Sequence, residues 1–408
     1  MKARILPRSV AAVALLAALL AARENSGAGE VGPRKSSCAS CSARLETETA
    51  EAWNAKVAAA YLDQRERWWM SWQDAAREHG TFCVSCHTAV PYALARGALR
   101  MTLAEPAAPA PERKLIDDVR RRVRLWHETS PFYGDDYDGR GKSAESRGTE
   151  AVLSALMLAW DDAPAGRLNA DTVSAFDHMW AEQHASGESS GAWSWLDFDL
   201  SPWEAADAQY YGAALAAMAV GAAPENYQAR PEIQAHLQQL RDYLAREYAA
   251  HSLHHRLILL WASTRLPGIV ESAERESLVA EVLRAQNPDG GWSLSALTKP
   301  GKRDTLLRHP ESDGYATGLV TLVLGQTAMS GAAPEVQRGL TWLVRNQVGH
   351  SGSWIWGNEG FWEARSLNKW RNPWSNVGRF MSDAATAYAV LALTEPSRTE
   401  PRVASVAK

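Results

Sequence analysis

The sequence predicts an all-α protein, an α/α toroid of about six helical hairpins. Three observations predict it. Segments rich in Ala, Gly and Leu recur roughly every 50–60 residues, and each is apolar nearly all round, as a helix buried on most sides must be. A charged, amphipathic segment precedes each of them. Turns combining Gln, Gly and Trp join several of the pairs. Inner helices of this kind bury their surfaces only by standing side by side, in a closed ring or, as the alternative, an open superhelix.

The first hairpin spans residues 51–103: a polar-aromatic helix over about 52–78, the stretch FCVSCH, then TAVPYALARGALRM. A Pro/Ala-rich linker, 104–113, leads to the remaining five hairpins, 114–395. Their outer helices are expected at 114–126, 171–183, 232–248, 273–285 and 335–346. The inner helices are expected to start at Glu150, Asp207, Ser252, Asp313 and Asp383. An acidic residue there is a favoured cap and complements the helix dipole.

The turns are QNPDGGW, with Gln286, Gly290 and Trp292; QVGHSGSW, with Gln347, Gly352 and Trp354; and the looser QHASGESSGAW from Gln183 to Trp193. The turn at 249–251 lacks the pattern. Gly accepts backbone angles that other residues resist. Trp offers a flat apolar face, and a Gln amide can bond the free groups of a helix end. These turns read as structural.

Residues 1–28 read as a signal peptide. Lys2, Arg4 and Arg8 precede an apolar run over 10–22, which falls short of the ~20 residues needed to span a bilayer and suits a secretory segment. Residues 29–50 form a mature N-terminal segment and 396–408 a disordered tail. The expected destination is export, to the periplasm. With a net charge of −4 and no basic cluster, nucleic-acid binding is excluded as an expectation. Eighteen Trp against six Phe point to a repeated structural use of large rigid rings.

All four cysteines lie in Cys-x-x-Cys pairs, Cys38/Cys41 and Cys83/Cys86. Cys83, Cys86 and His87 have the spacing of a c-type haem attachment, in which two thiols take up the haem vinyl groups and His87 ligates the iron. Export suits that chemistry and also permits disulfides. Two other readings stay open: a disulfide, and a zinc site shared with Cys38 and Cys41, which lack a following His. Candidates for the sixth iron position are His309, Met381, Met101 and His127. Asp135, Asp136 and Asp138 of GDDYDG could ligate Mg²⁺ or Ca²⁺, but acidic loops are usually just solvated.

The recurring Gln, Gly and Trp turns resemble the QW motif of the squalene–hopene cyclase and prenyltransferase superfamily, whose domains are α/α toroids. The resemblance covers residues 50–395. It implies a place for a protonating Asp at the start of an inner helix. The nearest match is ESDGYA, 311–316, where Asp313 stands for that acid and Glu311 for the first Asp of the family motif. Gly314 and Tyr315 replace the final Asp and the Thr, so the acid loses partners that would hold its proton. Asp313 also reads as a helix cap, and fold likeness does not carry function.

The expected protein is an exported haem c protein that binds a hydrophobic, isoprenoid-class molecule or lipid in an apolar cavity of the ring. It takes part in that molecule's redox chemistry as a haem-dependent oxidoreductase, with an electron-transfer partner and peripheral membrane contact. One alternative is a cytochrome c-like electron-transfer protein on a toroid scaffold. Another is a terpene cyclase or isomerase using Asp313 without haem. Two long connections, 295–312 and 355–382, the second carrying Trp356, Trp362, Trp370 and Trp374, are expected to cover the ring's mouth.

Overall fold

The computed structural model describes residues 53–136, 141–299, 309–327, 334–348 and 360–394. The expected signal peptide, mature N-terminal segment and tail, and Cys38, Cys41, Asp138, Gly352, Trp354 and Trp356, lie outside the described residues. Among the described residues there are thirteen α-helices and no strand beyond isolated bridges. The outer helices are α1 (Ala55–Ser71), α3 (Ala110–Arg124), α5 (Ala170–Ala181), α7 (Gln234–Glu247), α9 (Ser272–Arg284) and α12 (Pro334–Arg345). The inner ones are α2 (Ala89–Thr102), α4 (Lys142–Asp162), α6 (Gln209–Ala222), α8 (Leu253–Ser263), α11 (Gly314–Gln326) and α13 (Phe380–Thr394). A single turn, α10 (Leu294–Leu297), lies in a connection.

The inner helices pack in sequence, α2 on α4, α4 on α6, α6 on α8, α8 on α11 and α11 on α13, and α13 returns to α2. The ring is closed, so the fold is an α/α toroid and the open superhelix is set aside. Small residues allow this packing. A Cβ on Gly318 of α11 would stand 2.7 Å from the backbone nitrogen of Ala389 in α13, closer than side chains tolerate.

The Gln turns tie the outer ring together. Gln183 Nε2 donates to Gly191 O and to His236 O in α7. Gln286 Nε2 donates to Gly290 O and to Glu335 O in α12. Gln347 Nε2 donates to Gly360 O and to Asn54 O, the cap of α1, while Asn54 N donates back to Gln347 Oε1 at 2.7 Å. Each Gln thus links the end of one outer helix to the start of the next, and Gln347 joins the last to the first. The paired Trp closes the turn from inside: Nε1 of Trp193, Trp292 and Trp362 donates to Met179 O, Val282 O and Leu343 O.

In the last turn these bonds belong to Gly360 and Trp362, in place of the expected Gly352 and Trp354. Gly360 has φ +90°, matching +93° at Gly290, a conformation that favours glycine. Trp362 is fully buried, so it belongs to the core and does not cover the mouth. At the α7–α8 turn, which lacks a QW pattern, Tyr248 OH donates to Glu274 O in α9 and takes over the tie.

Several boundaries differ from expectation: α1 ends at Ser71, short of 78, and α13 starts at Phe380, ahead of Asp383. Helix α3 starts at Ala110 inside the expected linker, with Pro109 as cap and Pro111 in the first turn, where the missing N–H costs nothing. Helix α4 starts at Lys142, two turns before Glu150, so Glu150 is a buried mid-helix residue paired with Arg122 and does not cap. Helix α6 starts at Gln209, past the exposed Asp207.

The expected apolar cavity along the ring's centre is filled where Tyr211, Tyr315, Tyr388, His254 and Trp261 meet, all fully buried. Tyr315 of α11 meets Tyr388 of α13 edge to face at 5.3 Å. Trp261 and Tyr388 meet edge to face at 6.0 Å. Aromatic residues on facing inner helices occupy the space that smaller ones would leave open.

Candidate functional site

The stretch 82–88 forms the turn between α1 and α2. Ser85 Oγ accepts from the backbone N–H groups of Thr88 and Ala89, so Ser85 supports the start of α2. Trp69 Nε1 on α1 donates to Cys83 O at 2.7 Å. In the QW turns a turn Trp donates to the outer helix; here the outer helix supplies the Trp and the turn supplies the carbonyl.

Cys83 and Cys86 are free thiols, both buried. Burial pushes the Cys83 thiol up to about 12 and holds Cys86 well above its ordinary value, so both stay protonated at neutral pH. Both thiols and His87 line one cavity of about 800 Å³. That volume lies in the range of small-molecule and cofactor sites, about 300–1,000 Å³. Its walls include Trp69, Trp72, Phe132 and Tyr133, with the cations Arg77, Lys369 and Arg371 beside the carboxyl groups of Asp74, Asp136 and Glu204. A flat apolar group with acidic substituents fits such a donor set.

His87 stacks on Phe380 at 3.8 Å and meets the edge of Trp69 at 5.0 Å. Its Nδ1 lies 2.9 Å from Thr88 Oγ1, and that hydroxyl donates its only proton to Asp383 Oδ2 at 2.8 Å. Thr88 can therefore only accept from the ring, which fixes the proton on Nδ1 and leaves the Nε2 lone pair free. This is the tautomer a metal-ligating imidazole needs, with its other nitrogen held by an acceptor. Burial, and then the charges of Arg371 and Arg65, hold the His87 pKa well below its usual value, so the ring is neutral.

Asp383 anchors this chain from α13. It accepts from Tyr61 OH, from Arg65 Nε and Nη2, and from Thr88. Burial pushes its pKa up, but four donors, two from a guanidinium, keep it a carboxylate. The acid expected to start the last inner helix thus pairs with the first outer helix across the ring's seam.

Glu204 was not legible in the sequence. It lines the cavity of Cys83 and Cys86, and burial raises its carboxyl to about 7, opposed by Arg371 and Lys142. A second, more apolar pocket of about 170 Å³ shares His87, Glu204 and Phe380, and adds Trp203, Met381 and His309. Met381 and His309 thus face the same space as His87. Met101 does not: it ends α2 some 20 Å away by helix rise, 75% exposed. His127 is exposed beside His178.

Asp313 caps α11. Its Oδ1 accepts from Ala316 N and its Oδ2 from Leu294 N, at 2.8 and 2.6 Å. Burial raises its pKa to about 6, against the pull of these backbone bonds. Glu311 is exposed and lines the same pocket of about 510 Å³ as Asp313. Tyr315 OH, at the position of the family's Thr, accepts from Trp203 Nε1 and lies 2.8 Å from His254 Nε2, turned away into the ring. No described group donates a hydrogen bond to Asp313 from a side chain. Asp135 Oδ1 accepts from Ser143 N, a loop contact.

No protein-family model matches the chain, and no curated protein sequence matches it. Several solved structures are similar. The type II terpene cyclase MstE from Scytonema is 14% identical, with 83% of this chain and 96% of that one covered, at a TM-score of 0.44. The α-1,6-mannanase GH76A of Salegentibacter sp. HEL1_6 is 10% identical over 83% of this chain and 99% of its own, at 0.43. An inactive variant of that mannanase in complex with α-1,6-mannotriose is 9% identical over 84% and 99%, at 0.45.

Among the described residues, no helix is long and apolar enough to cross a membrane.

Proposed function

We propose that this chain is an exported c-type haem protein that carries out redox chemistry on a hydrophobic molecule at one end of an α/α toroid. One observation carries the reading: Cys83, Cys86 and His87 line a single cavity, with His87 Nδ1 bound to Thr88 and Nε2 left as a ligand. Addition of each thiol across a haem vinyl group forms a thioether and needs no outside oxidant. When bound, the haem supplies one-electron chemistry, so an electron-transfer partner belongs to the reading.

The chain's own residues divide the remaining tasks. Asp383 and Thr88 hold the imidazole, and Arg77, Lys369 and Arg371 offer charge to acidic substituents. Trp203, Phe380 and Met381 line an apolar pocket beside His87, where a hydrophobic molecule would bind. The isoprenoid class rests only on the resemblance to the squalene–hopene cyclase superfamily. Trp370 and Trp374, 78% and 49% exposed near that pocket, suit peripheral contact with a membrane.

A second reading, an electron carrier, is favoured by Met381 and His309 lining the same pocket as His87. Azide with the oxidised protein and carbon monoxide with the reduced protein separate the two. Spectra that respond to both support redox chemistry on a bound molecule. A low-spin spectrum that neither changes, and that becomes responsive in Met381→Ala or His309→Ala, supports the carrier. The cyclase reading is the least supported, since both Asp313 oxygens are taken by backbone N–H groups.

A further inference from the structure

The turn between α7 and α8, which has no QW motif, carries a different cluster. His251 precedes Ser252, the cap of α8, and His255 lies in the first turn of that helix. Asp207 stands two residues ahead of α6. One ligand atom from each of Asp207, His251 and His255 lies within 4.8 Å of the others.

The imidazoles are prepared as ligands. His255 is 1% exposed, and its Nε2 lies 3.1 Å from Pro202 O, a carbonyl that can only accept. That contact puts the proton on Nε2 and leaves the Nδ1 lone pair bare. The Nδ1 atoms of His251 and His255 are both buried, and neither has a hydrogen-bond partner. A buried polar atom without a partner costs free energy, and two of them on imidazoles clustered with one carboxylate ask for an explanation. His255 Nδ1 lies 3.7 Å from Asp207 Oδ2, too long for a hydrogen bond. It is close to the ~3.4 Å edge of a tetrahedron whose metal–ligand bonds are ~2.1 Å.

We infer that Asp207, His251 and His255 form a binding site for one divalent transition ion of the zinc class. Two imidazoles and one carboxylate are a borderline donor set that favours zinc and its neighbours over Mg²⁺ or Ca²⁺. The Nε2–H bond of His255 to Pro202 O is the outer contact that orients a ligating His. Asp207 and His251 also line a solvent-reaching cavity of about 870 Å³ together with Glu247, so a fourth position stays open for water or a small ligand. The ion ties the starts of α6 and α8 together. The site is separate from Cys83, Cys86 and His87 and does not depend on haem.

The test uses the tag-free, haem-loaded chain with Cys38→Ser and Cys41→Ser, so that no thiol or added His competes. Zn²⁺ is titrated by calorimetry and located by anomalous scattering at the zinc edge in crystals. One ion per chain between the three side chains is expected, with at least tenfold weaker binding in Asp207→Asn and in His251→Ala. Asp207 is exposed, so its variant keeps the fold; circular dichroism checks both. Absence of stoichiometric binding, binding elsewhere, or unchanged affinity in the two folded variants overturns the inference.

Discussion

Thr88 Oγ1 donates to Asp383 Oδ2 at 2.8 Å, so the residue that orients His87 is itself held by the last inner helix. The seam of the toroid and the imidazole share one buried hydrogen-bond chain. Thr88→Val removes the acceptor for Nδ1–H and one donor to a buried carboxylate, at a cost of about 1–3 kcal/mol in stability. With the proposed haem bound, it would also weaken His87 as a donor to iron, which favours the reduced state. The midpoint potential is expected to rise by tens of millivolts, read by spectroelectrochemistry. An unchanged potential in a folded variant contradicts the orienting role.

Burial pushes the Glu204 carboxyl up to about 7 in the wall of the same cavity. Reduction adds negative charge and favours its protonated form, so the potential should fall as pH rises through 7. The limit is about 59 mV per pH unit for a one-electron couple. Glu204→Gln should flatten that region of the curve.

Glu66 of α1 is fully buried, and neither carboxylate oxygen has a hydrogen-bond partner. Burial first, then the charges of Asp383 and Asp118, raise its pKa to about 8. Its unfolded value is about 4.3. Between those values the folded chain holds more protons than the unfolded one, so stability falls as pH rises through that window. Glu66→Gln should remove this slope and raise stability at pH 8 by roughly 2–4 kcal/mol. Denaturant melts at pH 5 and pH 8 measure it; equal differences from wild type at both contradict it.

Asp313 separates capping from catalysis. Asp313→Asn keeps an oxygen for Ala316 N but turns an N–H group toward Leu294 N, at a cost of about 1–3 kcal/mol, and Asp313→Ala, which loses both bonds, should cost at least as much. Any turnover of a hydrophobic substrate should survive Asp313→Asn. Its abolition in a stable Asn variant would restore the acid role.

The fold was legible because helical periodicity and small-residue helices report burial directly. After Gln347 the described ring bonds fall on Gly360 and Trp362, which spacing did not single out. Two Gly-x-Trp triplets follow that Gln, at 352–354 and 360–362, and spacing favours the nearer, while the ring's bonds use Gly360 and Trp362. Glu150 and Asp383 share the acidic signal of a cap, yet Glu150 pairs with Arg122 of its own hairpin's outer helix and Asp383 with Arg65 of the first hairpin. No local pattern announces such partners. Cys83, Cys86 and His87 were legible as a motif, but Thr88 and Glu204 were not, because their roles come from residues over a hundred positions away. Met101 and His127 were near His87 only in sequence.

The most direct measurement is a pyridine haemochrome spectrum, with a haem stain on a denaturing gel, of protein exported from a host with c-type maturation machinery. The account predicts one covalent haem per chain, lost in Cys83→Ala/Cys86→Ala. Folded, exported protein with no covalent haem, or a signal that survives the double variant, would contradict it.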